Sequence, residues 1–283
     1  MTLITADALA ARLGDPSLRI VDVRWYLKQP GTGQAAYERG HIPGAIFLDL
    51  DGDLSAPDGP GRHPLPEPDS FRARLALAGI GSDDFVVAYD DAGGTTAARL
   101  WWMLDNLGHR GRVAVLDGGI QAWTSAGHDL EAGAAPPLAP ADLQLARQWA
   151  NVIDREELAD RLGTLTLLDG RAAERYRGEV EPIDPKMGHI PTAVSAPTSG
   201  NLGDEGRFLA PAVLRARFDG LTATDGDVVS SCGSGTTACH SILAMRIAGL
   251  PDPILYVGSF SDWSTADMPV ATGPLPGEPL VGR

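Results

Sequence analysis

The sequence contains two copies of one pattern, roughly 147 residues apart, and this repeat restricts the folds that the chain can adopt. Several features recur in the same order in both halves. They are Ile20–Arg24 with Leu167–Arg171, Gly40–Pro43 with Gly188–Pro191, Gly94–Ala97 with Gly235–Ala238, and Gly118 and Trp123 with Gly258 and Trp263. A long period with two copies indicates tandem domains rather than a solenoid. The length of 283 residues also fits two domains of ordinary size.

Short apolar runs alternate with amphipathic segments in both halves. Strands are predicted at 18–23, 46–48, 85–89, 113–116, 165–168, 227–231 and 254–257. Helices are predicted at 5–13, 95–107, 211–218 and 236–248, with another after a capping box at 154–157. Apolar strands separated by helices predict an α/β fold in which each domain is an open parallel sheet with helices on both faces.

The composition changes between the two halves. Residues 131–150 are rich in alanine and proline and have little capacity to form a core, so we interpret them as a linker. This places an N-terminal domain at 1–130 and a C-terminal domain at 151–283. The tail from Gly273 onward is expected to be irregular because of its Pro and Gly content.

The overall charge argues against two classes of partner. The formal net charge is −14, and no run of basic residues stands out, so neither nucleic acid nor an anionic membrane is an expected partner. No signal peptide or membrane-spanning segment is recognised. Two cysteines, Cys232 and Cys239, do not make a disulfide framework, which predicts a soluble protein of the reducing cytoplasm. No cluster has metal-ligand spacing, and we expect neither a metal nor a cofactor.

The two halves differ at one position that matters for chemistry. When the Gly-Thr-Thr-Ala blocks are aligned, Asp91 stands opposite Cys232. The thiol then lies at the C-terminal end of a strand, where ligands of open α/β sheets usually bind. The following residues Gly233, Ser234, Gly235, Thr236 and Thr237 predict a curved loop of inward N–H groups that opens a helix. Both features favour the thiolate, so we favour a reactive cysteine over a buried structural one.

These motifs together resemble those of tandem rhodanese-domain sulfurtransferases. The resemblance rests on Tyr37–Ala45, Gly188–Pro191, Cys232–Ala238 and Gly258–Trp263, and it covers nearly the whole chain outside the linker and tail. In that family the N-terminal domain lacks the cysteine and the C-terminal domain carries it. The resemblance implies that the cysteine accepts a sulfane sulfur as a persulfide and passes it to a nucleophile.

The loop Cys232–Gly235 is similar to that of the mercaptopyruvate-specific members of the family. Those members pair the loop serine with a histidine and an aspartate, which implies catalytic roles for Ser234, His63 and Asp51 beside Cys232.

Two positions depart from the family pattern. Thr236 stands where the family usually has valine. The mercaptopyruvate type also uses two arginines to bind the substrate, and Arg175 matches the first of them. The stretch 179–185 offers no second arginine, so Arg177 is the candidate that remains from the sequence. A solvated ion pair with Glu179 or Glu181 is the alternative role of these arginines.

The function predicted from these residues is transfer of sulfur from 3-mercaptopyruvate to a thiol, to cyanide or to a thioredoxin-like acceptor. Thiosulfate as the donor is the alternative within the same mechanism. A non-catalytic persulfide carrier or protein-binding module is the alternative from a different class. Cysteine phosphatases and arsenate reductases need an arginine at the end of the loop, where this chain has Thr237, Ala238 and Cys239.

Other notable side chains are expected to be structural. His41 and His189 precede proline in both copies, which points to architecture rather than catalysis. Cys239 lies one to two helical turns beyond the loop and is expected to be packed and inert. Four tryptophans are expected to be core or interface anchors rather than a binding cage. They are Trp101, Trp102, Trp123 and Trp263.

Overall fold

The computed structural model describes residues 2–222 and 226–280. The chain divides into two compact units. The first unit comprises the residues up to 57 together with 65–150 and 203–208. The second unit comprises 58–64, 151–202 and the residues from 209 onward. Each unit thus includes a short segment that lies, in sequence, within the other.

The first unit is built on a five-stranded parallel sheet in the order β1-β5-β4-β2-β3. Its strands are β1 (Leu3–Ile4), β2 (Leu18–Asp22), β3 (Ile46–Phe47), β4 (Phe85–Tyr89) and β5 (Val113–Leu116). Its helices are α1 (Ala6–Ala10), α2 (Thr32–Arg39), α3 (Pro68–Leu77), α4 (Ala97–Asn106) and α5 (Gly119–Ser125).

The second unit repeats this arrangement, with its parallel strands in the order β6-β10-β9-β7-β8. Its strands are β6 (Val152–Ile153), β7 (Thr166–Asp169), β8 (Val194–Ser195), β9 (Val228–Ser231) and β10 (Ile254–Tyr256). Its helices are α6 (Arg155–Arg161), α7 (Ala173–Tyr176), α8 (Pro211–Leu221), α9 (Thr236–Ile247) and α10 (Ser259–Thr265), with a 3₁₀ turn at Thr198–Asn201. The predicted α/β fold with two parallel sheets is therefore confirmed.

The central strands are buried along almost their whole length. In β4 the consecutive residues Val86–Tyr89 are all buried, and so are all four residues of β7. Because neighbouring side chains in a strand point to opposite faces, this pattern requires cover on both faces of each sheet. Trp123 is buried in the hydrophobic core of the first unit, and Trp263 is buried in that of the second.

Local sequence signals explain several of the helix starts. The Thr5 hydroxyl accepts a hydrogen bond from Ala8 N–H at 3.3 Å, and the Asp154 carboxylate accepts one from Glu157 N–H at 2.9 Å. These bonds satisfy N–H groups that the first helical turn leaves unpaired. The strand predicted at 85–89 has those bounds in the structure, while α9 ends at Ile247.

The predicted linker 131–150 has no helix and no extended strand and is largely exposed, but two of its side chains pack against the first unit. Leu143 is buried, and Trp149 stacks on Trp102 with ring centroids 5.8 Å apart. The Trp149 indole donates to the Pro66 carbonyl at 2.8 Å. These contacts place the segment in the first unit. None of the helices in the described part of the chain combines the length and the hydropathy needed to cross a membrane.

Candidate active site

Cys232 occupies the turn between β9 and α9 in the second unit. It is only 2% exposed and follows directly on the last strand residue, Ser231. Gly235 ends the turn in the left-handed conformation, with φ of 78°. A Cβ at this glycine would lie 2.3 Å from the carbonyl oxygen of Val257. The tight curvature of the turn therefore requires glycine at 235.

The turn is tied from outside by the segment that follows β10. Ser259 Oγ accepts a hydrogen bond from Cys232 N–H at 3.0 Å. The carbonyls of Cys232 and Gly233 accept from Phe260 N–H at 3.0 Å and Ser261 N–H at 2.9 Å. These bonds fix the first two residues of the turn to the segment Ser259–Ser261.

His63 reaches this turn from the segment 58–64. Its Nδ1 lies 2.7 Å from Ser234 Oγ and 3.3 Å from Thr236 Oγ1, and all three side chains are buried. The hydroxyl at 236, where the family pattern has valine, therefore adds a second contact to the imidazole. Ser234 and His63, both predicted from the sequence, are brought together two residues from Cys232.

The segment that carries His63 is anchored to the second unit by its backbone. Arg62 N–H donates to Ser261 Oγ at 3.1 Å. Gly61 has φ of 77°, and a Cβ there would lie 2.5 Å from the Gly258 carbonyl oxygen. This close approach and the Arg62 bond hold the segment next to the turn.

Two guanidinium groups flank Gly233. A Cβ at Gly233 would lie 2.9 Å from Arg62 Nη2 and 3.6 Å from Arg175 Nη1. Arg175 was predicted as a substrate-binding residue, whereas Arg62 was not. The signal that could have found Arg62 is its position next to His63.

Both arginines are held by buried acids. Arg62 Nη1 pairs with one oxygen of Asp184, and Arg175 Nη2 lies 3.1 Å from the other. Arg175 also donates to Glu181 through Nε at 3.1 Å and through Nη2 at 2.8 Å. Glu181 in turn lies 3.4 Å from Arg171, which pairs with Asp169 at 2.7 Å.

The electrostatics of this cluster are balanced. Burial raises the pKa of Asp184, and the Arg62 charge opposes that rise. Burial would raise the pKa of Glu181 too, but hydrogen bonds from Arg175 and from Asp184 N–H outweigh burial and leave its pKa lowered. With all groups ionised, three arginines face three carboxylates, so the cluster carries no net charge. They are Arg62, Arg171 and Arg175 with Asp169, Glu181 and Asp184.

Two further predicted site residues have other contacts within their own units. Asp51 belongs to the first unit, where its carboxylate accepts from the Trp25 indole at 2.8 Å. Arg177 is partly exposed and pairs with Glu179 at 2.7 Å, as in the alternative role considered for it. The catalytic role of Asp51 and the substrate-binding role of Arg177 stay predictions.

The corresponding turn of the first unit is filled by its own carboxylate. Asp90 is fully buried and accepts hydrogen bonds from the backbone N–H groups of Ala92, Gly94, Thr96 and Ala97 at 2.8–2.9 Å. Burial raises the pKa of Asp90, and the four donors oppose that rise. Asp91, opposite Cys232 in the repeat, instead accepts from the Tyr26 hydroxyl. The turn of the first unit therefore holds an anion through its backbone N–H groups.

The remaining thiol is packed in α9. Cys239 is fully buried, and its Sγ lies 3.4 Å from the Gly235 carbonyl oxygen. His41 and His189 are buried as well and stack on Tyr37 and Tyr176, with centroids 4.0 and 3.7 Å apart. These contacts agree with the structural roles predicted for the two histidines.

The repeated α/β unit and its cysteine-bearing turn define a two-domain rhodanese. The Rhodanese-like domain family matches residues 5–126 and 154–266, and the chain belongs to this family. It is a sulfurtransferase, as its curated relatives are.

Three relatives represent the family. The chain is 48% identical to a probable 3-mercaptopyruvate sulfurtransferase from Pseudomonas aeruginosa, over 96% of this chain and 98% of that one. It is 40% identical to a putative thiosulfate sulfurtransferase from Mycobacterium tuberculosis, over 93% and 94%. A crystal structure of a 3-mercaptopyruvate sulfotransferase from Escherichia coli superposes with a TM-score of 0.80 at 33% identity, covering 92% of this chain and all of that one.

Proposed function

We propose that this protein transfers sulfur from 3-mercaptopyruvate to an acceptor through a persulfide on Cys232. The observation that carries the proposal is the 2.7 Å contact between His63 and Ser234, two residues from the thiol. The relative from Pseudomonas aeruginosa, named as a probable 3-mercaptopyruvate sulfurtransferase, supports the same donor.

In the first step the Cys232 thiolate attacks the sulfur of mercaptopyruvate. A bond forms between Sγ and that sulfur while the carbon–sulfur bond breaks, and its electron pair passes to the carbon as pyruvate enolate. The enolate takes up one proton and leaves as pyruvate, and the proton lost from the donor thiol balances this uptake. Ser234 and His63 are the groups that carry the proton between these positions.

The persulfide that remains on Cys232 is an anion, and the turn is suited to hold it. The positive end of α9, which begins at Thr236, stabilises negative charge at this point. In the second step a thiol, cyanide or a thioredoxin-like protein attacks the outer sulfur, and the Cys232 thiolate is regenerated. Two such half-reactions give ping-pong kinetics.

The leaving group distinguishes the two donors. Pyruvate enolate needs a proton to leave, whereas the sulfite released from thiosulfate is stable as an anion. A hydroxyl and an imidazole beside the thiol therefore favour mercaptopyruvate. The arginine and carboxylate charges around Gly233 also cancel, which suits a donor with one carboxylate better than a dianion. The relative from Mycobacterium tuberculosis keeps thiosulfate as the second candidate donor.

The test compares kcat/KM for 3-mercaptopyruvate and for thiosulfate with the same acceptor thiol. We expect the unchanged protein to prefer mercaptopyruvate. In Ser234→Ala, kcat/KM for mercaptopyruvate should fall about 100-fold or more, because one group of the proton path is lost. Thiosulfate turnover should fall less in that variant. Ser264→Ala is the matched control, since Ser264 is a buried serine of α10 whose hydroxyl has no partner among the described residues.

Two outcomes would contradict the proposal. A preference of the unchanged protein for thiosulfate would assign the alternative donor. Formation of a persulfide that no small acceptor removes would assign the carrier role. The proposed compartment is the cytoplasm, since neither Cys232 nor Cys239 forms a disulfide and the reaction needs Cys232 reduced.

A further inference from the structure

The position beside Gly233 is bordered by two guanidinium groups that are held by buried acids. Arg175 uses Nε and Nη2 for Glu181 and Asp184, and its Nη1 would lie 3.6 Å from a Cβ at Gly233. Arg62 uses Nη1 for Asp184, and its Nη2 approaches Gly233. Each arginine is therefore fixed along one edge and presents another edge to the loop.

One guanidinium N–H of Arg62 has no acceptor in the part of the chain that the structure describes. Within residues 2–222 and 226–280, Arg62 Nε is buried and has no hydrogen-bond partner. The Arg62 side chain as a whole is 28% exposed and that of Arg175 is 17% exposed, so a small molecule can reach them. Guanidinium edges of this kind bind carboxylates through paired, charge-assisted hydrogen bonds.

Asp184 sets the relative position of the two arginines. Its carboxylate is 2% exposed and gives one oxygen to each guanidinium. A buried carboxylate shared in this way keeps both side chains charged and restricts their rotamers. Glycine at 233 allows the two guanidinium groups to approach the turn this closely, since a Cβ would lie only 2.9 Å from Arg62 Nη2.

We propose that Arg62 is a specificity-determining residue, which together with Arg175 binds the carboxylate of the donor beside Cys232. This inference rests on the proposed function for the identity of the donor. It gives Arg62 the role of the second substrate-binding arginine, for which the sequence offered only Arg177. The Arg177 side chain pairs with Glu179. Arg62 and His63 are consecutive, so one segment supplies both a carboxylate ligand and a group of the proton path.

The test measures alkylation of Cys232, which needs no sulfur donor. The thiolate displaces iodide from iodoacetate, an anion, or from iodoacetamide, its neutral analogue, and forms a carbon–sulfur bond in both cases. The ratio of the two rate constants reports on carboxylate binding near the thiol. All proteins carry Cys239→Ser so that one thiol is followed, and the product is identified by mass spectrometry.

We expect the unchanged site to favour iodoacetate and the ratio to fall about tenfold in Arg62→Ala, with the iodoacetamide rate retained. Arg62→Lys should recover part of the ratio because it restores the charge without the planar edge. Arg161→Ala is the matched control, since Arg161 lies in the same unit in an exposed ion pair with Asp227. A structural defect would change the iodoacetamide rate as well.

Three results would overturn the inference. They are a wild-type protein without preference for the anion, an unchanged ratio in Arg62→Ala, and a loss of the ratio in Arg177→Ala instead. Assays with 3-mercaptopyruvate separate this inference from the proposed function. If the wild-type protein favours iodoacetate but does not turn over mercaptopyruvate, the proposed donor is wrong and the carboxylate site remains.

Discussion

Replacing Gly235 by alanine tests whether the curvature of the turn is what places the thiol. Gly235 directly precedes helix α9 and Gly249 follows its end, and both are left-handed, with φ of 78° and 71°. Alanine at either position adopts an unfavourable backbone conformation at a cost of about 1–2 kcal/mol. The two glycines differ only in their surroundings. No atom lies within 4 Å of a Cβ built at Gly249, whereas at Gly235 the Val257 carbonyl oxygen lies at 2.3 Å.

That distance is more than about 1 Å inside ordinary van der Waals contact, so the turn or β10 must shift. Overpacking of this kind adds about 1–3 kcal/mol, which makes the total cost at Gly235 about 2–5 kcal/mol. A displacement of about 1 Å at the nucleophile can lower kcat/KM about 100-fold. We therefore expect Gly235→Ala to lose both stability and activity, and Gly249→Ala to lose only stability.

The measurements are urea unfolding and kcat/KM for 3-mercaptopyruvate on both variants. If Gly235→Ala retained the activity of Gly249→Ala, the turn would not need its observed curvature. Equal losses of stability in the two variants would show that the contact with Val257 relaxes without cost.

Three further outcomes are expected. Cys232→Ser should abolish sulfur transfer while Cys239→Ser retains most of it, as judged by steady-state rates; full activity of Cys232→Ser would refute the mechanism. Asp90→Asn should destabilise the first unit by about 1–3 kcal/mol, because an amide cannot satisfy four N–H donors, and thermal unfolding would detect this. The lowered pKa of Glu181 means that its stabilising effect is complete above its ordinary value of about 4.5 and is lost as the pH falls further. Glu181→Gln should therefore reduce the loss of unfolding free energy at acid pH. If that loss is unchanged in the variant, other groups cause the acid destabilisation.

Much of the fold could be predicted from the sequence, because the signals that define it are local. The apolar run at 85–89 and the helix that follows Gly235 needed only hydrophobic periodicity and glycine placement to be recognised. Strands β1, β6 and β8 were not predicted. Each has two residues, too few to show a period, and each is defined by pairing with a neighbouring strand.

The position of Cys232 in its turn and the partnership of Ser234 and His63 followed from motif comparison. The role of Arg62 did not, because it depends on contacts between residues 122 positions apart in the chain. Asp184 likewise stands in a stretch that offered no arginine, and only the folded structure brings its carboxylate to Arg62. Long-range ion pairs of this kind carry no periodic signal.

In the first unit, the Asp90 carboxylate itself fills the anion-binding turn. Its carboxylate occupies the donors that an incoming anion or a persulfide would need. Replacing Asp91 by cysteine would therefore place a thiol beside N–H groups that already have an acceptor. A second reactive centre would also require the loss of Asp90. Two features, the missing cysteine and the buried Asp90 carboxylate, therefore prevent the first unit from acting as a second reactive centre.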